Sequence, residues 1–124
     1  MKNVIKVLAL SLAMVMMLGL LVSCGGPNKD PKKAKEALDE AGYLVVLNDK
    51  DLLLPDGVEA TVIASTDDDY IMITYYEDAD AVKEAWEDAK EDAKELEEKY
   101  EDIVCKKSGK MIYIGTKQAV KDAK

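Results

Sequence analysis

The stretch that decides the fold is Val58-Glu59-Ala60-Thr61-Val62-Ile63-Ala64-Ser65, followed by Thr66-Asp67-Asp68-Asp69 and then Tyr70-Ile71-Met72-Ile73-Thr74-Tyr75-Tyr76. Two runs rich in β-branched and aromatic residues flank a short acidic segment, which predicts an antiparallel hairpin. If Ser65 faces Tyr70, then Val62 faces Ile73 on one apolar face. Turn length and apolar alternation agree on this register, so the pairing of the two strands is well specified.

Four further short segments are predicted to be strands or strand-like. Residues 43–47 are an apolar run that stops at Asn48, and residues 52–54, three leucines, are ambiguous between a strand stub and a loop. Residues 103–107 and 110–115 predict a second hairpin around Ser108-Gly109. Its register would place Cys105 opposite Ile112 on an apolar face.

Helices are predicted before, between and after the strands. Asp30-Pro31 has the composition of an N-cap and first helical residue, and Gly42 is the expected stop. Residues 78–100 predict the longest helix, whose apolar stripe spans about 100° of arc. The stripe comprises Val82, Ala85, Trp86, Ala89, Ala93, Leu96 and Tyr100.

The surface of this long helix carries repulsive pairs at i, i+4, such as Asp80 with Glu84 and Glu84 with Asp88, so docking of the stripe must stabilise it. Thr116 can cap a closing helix over residues 117–124. The order α-β-β-β-α-β-β-α predicts an α+β domain, a two-layer sandwich with a largely antiparallel sheet of about five strands.

Composition excludes several function classes. The chain has 17 basic residues, all lysine, against 25 acidic ones, for a net charge of −8. An acidic body argues against nucleic acid, whose phosphates need a basic patch. The absence of histidine excludes a Ser-His-Asp triad and removes the commonest general base and metal ligand. No catalytic constellation is recognisable, so we expect a non-enzymatic protein.

The N-terminus has the pattern of an export signal. Met1-Lys2-Asn3-Val4-Ile5-Lys6 is positively charged, the following residues to Leu21 are apolar or small, and Leu21-Val22-Ser23-Cys24 closes the run. The run is shorter than the roughly 20 apolar residues of a membrane-spanning helix. Leu21-Val22-Ser23-Cys24 resembles the lipobox of bacterial lipoprotein precursors, a resemblance that covers residues 1–24.

The resemblance implies that a signal peptidase cuts between Ser23 and Cys24 and that diacylglycerol is attached to the Cys24 sulfur. It divides the chain into a signal peptide (1–23), a lipidated cysteine with a short tether (24–30) and one acidic domain (31–124). Two acyl chains suffice for stable anchoring, which would place the domain on the extracytoplasmic side of the cell membrane. An uncleaved signal anchor is the alternative. With Cys24 bound to lipid, Cys105 has no partner for an intramolecular disulfide.

The predicted registers place tyrosine and methionine side chains on the outward face of both hairpins. This candidate binding face comprises Tyr70, Met72, Tyr76, Met111 and Tyr113, with Ile63 and Val104. An exposed Tyr/Met surface is typical of an interface. The alternative is that a terminal helix covers this face and makes it a second core.

Other candidates have plainer explanations. Asp67, Asp68 and Asp69, with Asp49 or Asp51, could coordinate Ca²⁺, although the EF-hand pattern is absent and a solvated turn also explains them. Cys105 could be a reactive thiol near lysines or an inert buried one. Lys106, Lys107 and Lys110 form a basic end that could contact lipid headgroups or a phosphate, or could merely aid solubility.

Taken together, the residues predict a membrane-anchored lipoprotein whose domain binds an envelope protein or a small ligand. The covalent lipid is the only non-protein group expected. The alternatives are a small carboxylate- or lysine-dependent enzyme and a Ca²⁺-responsive module.

Overall fold

A computed structural model describes residues 26–50 and 54–124. The elements are α1 (Pro31–Glu40), β1 (Leu44–Asn48), β2 (Val58–Ser65), β3 (Tyr70–Tyr76), α2 (Ala79–Glu97), β4 (Ile103–Ser108), β5 (Met111–Thr116) and α3 (Lys117–Asp122). All four strand pairings are antiparallel, in the order β1-β2-β3-β5-β4. The predicted α+β class and element order are confirmed. The predicted signal peptide, its cleavage position and the lipidated cysteine lie outside the described residues, as do two of the three leucines at 52–54.

The helices begin where the sequence predicts. The Asp30 carboxylate accepts a hydrogen bond from the Lys32 amide (3.0 Å), and the Asp78 carboxylate accepts one from the Ala81 amide (2.8 Å). Thr116 caps α3 through the Ala119 amide. Gly42 follows α1 with a φ of +94°, a left-handed conformation that glycine adopts without steric cost.

The helices divide between the two faces of the sheet. α1 and α3 pack on one face, the α1 face, against Val62, Ile71 and Ile73. α2 packs on the opposite face, the α2 face, against Ile112 and Ile114. Two separate hydrophobic clusters therefore lie on either side of one sheet.

The two hairpins differ in how well their registers were predicted. In β2–β3 the pairs Ser65–Tyr70, Val62–Ile73 and Ala60–Tyr75 are confirmed, with an irregularity only towards Val58. In β4–β5 the predicted register is wrong, because Cys105 faces Ile114 and not Ile112. The loop is Gly109-Lys110, with Gly109 at φ +60° in the first loop position, as a type II′ turn requires. A slip of two residues leaves each side chain on its predicted face of the hairpin.

Candidate functional site

The predicted Tyr/Met binding face does not exist as one surface. Tyr70, Met72 and Tyr76 lie on the α2 face, whereas β5 pairs Tyr113 with Ile73 and Met111 with Tyr75 on the α1 face. Met111 and Tyr113 are only 3% and 6% exposed and belong to the core. The prediction that they share a face with the β3 residues is therefore wrong.

Val104 and Ile63 are separated in the same way. Val104 faces Gly115 on β5 and packs against the α1-face cluster. Ile63 faces Met72 on the α2 face. The second hairpin thus has its two faces exchanged relative to the first hairpin. Within the second hairpin, the prediction of which side chains share a face is correct.

One row of side chains across the α2 face shows how far α2 covers it. Successive strand partners in this row are Val46, Ile63, Met72, Ile114 and Cys105. Val46 is 60% exposed and Ile63 38%, whereas Ile114 is 2% exposed. α2 therefore covers the β5–β4 half of this face and leaves the β1–β2 half open, with β3 at the boundary.

An open groove follows this boundary between β3 and α2. Its volume is about 590 Å³, within the range of small-ligand and peptide sites. Its floor is formed by Met72, Thr74 and Tyr76 of β3 together with Ile112 and Ile114. Methionine and tyrosine suit a site of this kind, because a thioether adapts its shape and a tyrosine ring offers apolar area with a polar tip.

The helix wall of the groove is acidic. Asp80, Glu84, Asp88 and Asp92 repeat every four residues along one edge of α2, and Asp56 and Asp78 add carboxylates to the lining. None of the described residues that line the groove is a lysine. Because 12 residues separate Asp80 from Asp92, the acidic row is about 18 Å long. The acidic face of this helix and its repulsive i, i+4 spacing were visible in the sequence, but the sequence did not show that these four carboxylates line a groove.

The negative potential of the wall reaches groups on the neighbouring strands. Burial raises the pKa of Tyr70 and of Tyr76, and Asp92 contributes a further increase at both. A hydrogen bond with Thr74 partly opposes the increase at Tyr76. Tyr70 also stacks on Tyr100, with ring centroids 5.7 Å apart. Burial together with the Asp92 carboxylate therefore disfavours ionisation of both tyrosines.

Cys105 lies on the α2 face as a half-buried free thiol. Burial raises its pKa, Asp92 raises it further, and Lys90 partly opposes them. Its Sγ lies 3.8 Å from the Ala89 carbonyl oxygen. A raised pKa favours the interpretation of an inert thiol, because the thiolate is the reactive species.

The predicted basic end is divided between both faces. Lys107 places its ammonium 5.0 Å from the centre of the Trp86 ring, on the edge of α2 away from the groove. Lys106 is exposed and faces Tyr113 across the strands, on the α1 face. Lys110 is in the hairpin loop. The three lysines therefore do not form one patch on one face of the sheet.

The Asp67–Asp69 turn is held by its own hydrogen bonds. The Thr66 hydroxyl accepts from the amides of Asp68 and Asp69. The Asp69 carboxylate accepts a hydrogen bond from the Thr116 hydroxyl at 2.7 Å. Within residues 26–50 and 54–124, no three Asp, Glu or Cys side chains are grouped to hold a metal ion.

The segment predicted to be a tether is packed on the domain from Gly26 onward. The Tyr75 hydroxyl donates to the Asn28 carbonyl (2.7 Å), and the Asn28 amide donates to the Ala123 carbonyl (2.8 Å). Pro27 is buried, and a Cβ at position 26 would overlap the Tyr113 ring. Residues 26–29 thus cover part of the α1 face beside α3.

Comparisons with known proteins give no further guide to this site. No family model matches the chain, and neither the curated proteins nor the solved structures contain a significant match. None of the helices in the described ranges is long and apolar enough to cross a bilayer.

Proposed function

We propose that this protein is a lipid-anchored, extracytoplasmic binding module that holds a short lysine- or arginine-bearing segment of a partner protein in the groove between β3 and α2. The observation that carries the proposal is the combination of an apolar floor with an acidic wall that contains no lysine. Such a groove complements a segment with alternating apolar and cationic side chains, because successive residues of an extended strand point to opposite sides.

The dimensions favour a peptide segment over a single small cation. An extended chain rises about 3.3 Å per residue, so the acidic row of about 18 Å matches five or six residues. The open β1–β2 half of the α2 face continues the apolar floor outward through Ile63 and Val46. A partner that extends beyond the groove would find further apolar surface there.

The lipid anchor is the second part of the proposal and rests on the lipobox resemblance at Leu21–Cys24. Replacing Cys24 by alanine should abolish metabolic labelling of the protein with palmitate. A Cys24→Ala protein that still incorporates palmitate would contradict lipidation at this residue.

Peptide binding tests the groove directly. The probe is a six-residue peptide of alternating lysine and leucine, and calorimetry measures its dissociation constant. Two control peptides replace either the lysines by glutamate or the leucines by serine. We expect binding of the lysine–leucine peptide alone, since the site needs both its charge and its apolar surface.

A matched pair of double variants locates the site. Glu84→Gln with Asp88→Asn removes two charges from the groove wall, whereas Glu91→Gln with Glu98→Gln removes two outside the groove, one on α2 and one at its C-cap. Exposed ion pairs contribute about 0.2–1 kcal/mol each, so the groove variant should weaken binding about 2- to 30-fold. Equal weakening by both variants would indicate long-range attraction to an acidic protein and would refute the groove as the site.

The alternatives of a carboxylate- or lysine-dependent enzyme and of a Ca²⁺-responsive module stay predictions. No observation in the described part of the chain favours either over binding. At the Asp67–Asp69 turn, one carboxylate is already hydrogen-bonded to Thr116.

A further inference from the structure

The docked segment at Gly26–Lys29 determines which side of the domain is nearest the anchor. Gly26 packs against the Tyr113 ring on the α1 face, and Asn28 is hydrogen-bonded to both Tyr75 and Ala123. Only Gly25 separates Gly26 from Cys24. Since consecutive Cα atoms are about 3.8 Å apart, the Cα of Cys24 lies within about 8 Å of that of Gly26. A lipid on Cys24 would therefore hold this side of the domain close to the membrane surface.

We propose that the α1 face, around the place where residues 26–29 dock, lies directly on the bilayer and contacts anionic lipid headgroups through its lysines. The partner is the lipid surface itself, and the inference rests on the lipid anchor of the proposed function. This orientation turns the α2 face and its groove away from the membrane, towards the space from which a partner protein approaches.

Lysines surround the docked segment. Lys29 belongs to it, Lys106 faces Tyr113 across the β4–β5 pair, and the Asn28 side chain donates to the Lys124 carbonyl at 3.4 Å. All three lysines are exposed. Near an anionic leaflet each lysine contributes about a fivefold factor in partitioning, so this local charge is sufficient to select an orientation.

The acidic charge of the protein does not cancel this attraction. The acids of the groove wall lie on α2, across the sheet from the docked segment. Packed layers are about 10 Å apart, and the Debye length in physiological salt is about 8 Å. Of the nearer carboxylates, Asp30 lies at the N-terminus of α1, whose dipole partly offsets its charge.

Lysine labelling on vesicles tests the orientation without any substitution. The lipidated protein, purified from membranes, is reconstituted into vesicles of phosphatidylcholine alone or with phosphatidylglycerol, and lysine acetylation rates are measured by mass spectrometry. We expect Lys29 and Lys106 to react about fivefold more slowly on the anionic vesicles. Lys83 and Lys94, exposed on α2, are the matched controls and should react at unchanged rates.

The outcomes separate this inference from the proposed function. Uniform labelling of all four lysines on vesicles that carry the protein would overturn the orientation alone. Equal protection on neutral and anionic vesicles would overturn headgroup recognition. Failure of the purified protein to float with vesicles would overturn the anchor and the orientation with it, whereas peptide binding in the groove would still be measurable.

Discussion

Replacing Tyr75 by phenylalanine removes a single hydroxyl that joins the sheet to the segment at Gly26–Lys29. Tyr75 is 5% exposed, and its hydroxyl donates to the Asn28 carbonyl at 2.7 Å. A buried hydrogen bond of this kind stabilises a fold by about 0.5–1.5 kcal/mol. Because the carbonyl also loses its donor, we expect Tyr75→Phe to lower the free energy of unfolding at neutral pH by about 1–1.5 kcal/mol.

The pH dependence of this loss gives a sharper test. Burial raises the pKa of Tyr75 well above its ordinary value of 10.0, and Asp30 adds to the increase. The stabilisation linked to the protonated hydroxyl is complete below pH 10. Above it, the unfolded state releases the proton first, and stability falls by up to about 1.36 kcal/mol per pH unit until the folded pKa is reached. Phenylalanine does not ionise, so the variant should equal the wild type in stability near pH 11 and exceed it beyond.

Urea unfolding from neutral pH to about pH 11.5, followed by circular dichroism, measures both effects. The other tyrosines are common to both proteins, so the difference between the two curves isolates Tyr75. Amide exchange supplies a local readout, since the Asn28 amide should exchange about 5- to 10-fold faster in the variant. Tyr100→Phe, which removes a hydroxyl from a ring stacked on Tyr70, should leave that exchange unchanged. A wild-type advantage that stays constant with pH would refute the reasoning.

Three further predictions test the packing and the thiol. Met111→Ala should lower the free energy of unfolding by about 2–5 kcal/mol. Leu44→Ala, at a residue 78% exposed, should change it by less than about 0.5 kcal/mol. Equal effects of the two variants in urea unfolding would contradict the assignment of faces. Gly115→Ala should cost about 1–3 kcal/mol, because its Cβ would lie 2.6 Å from the Tyr70 carbonyl oxygen; an unchanged urea midpoint would show that β3 can move aside. Cys105 should react with iodoacetamide at pH 8 more slowly than an unstructured cysteine peptide does, since burial raises its pKa from 9.0; a rate as fast as that of the peptide would contradict an inert thiol.

Local signals predicted most of the fold. The β2–β3 register follows from a four-residue connection and from apolar alternation, both contained within residues 58–76. The helix starts follow from Asp30, Asp78 and Thr116, which act on amides two or three residues ahead. For the second hairpin, the predicted loop was Ser108-Gly109, whereas the loop in the structure is Gly109-Lys110. The predicted register is therefore wrong by two residues.

The relative orientation of the two hairpins could not be predicted from the sequence. β3 and β5 are neighbours, yet residues 77–110 separate them, so no tight turn fixes their register. All six residues of β5 are buried, because the cluster on the α1 face covers one side of the strand and α2 covers the other. A strand buried on both sides has no polar face, and Tyr113 could be assigned to either side.

The docking of the N-terminal segment also could not be predicted from its amino-acid composition. Gly25-Gly26-Pro27-Asn28-Lys29 has the residues of a flexible linker. Its packing depends on contacts with residues distant in sequence, such as the missing Cβ of Gly26 beside Tyr113. Composition reports the entropy of the free chain and gives no information on whether a complementary surface exists elsewhere in the fold.

The spacing of the acids on α2 links the stability of the helix to its proposed binding role. Asp80, Glu84, Asp88 and Asp92 form three successive like-charge pairs at i, i+4, which together destabilise the helix by about 0.6–1.5 kcal/mol. A cationic side chain seated between two of these carboxylates replaces repulsion with attraction, so a bound basic segment stabilises α2 as well as gaining affinity. Binding of the lysine–leucine peptide should therefore raise the protection of amides from exchange more in α2 than in β2. A purely apolar contact with the floor of the groove would not produce this difference.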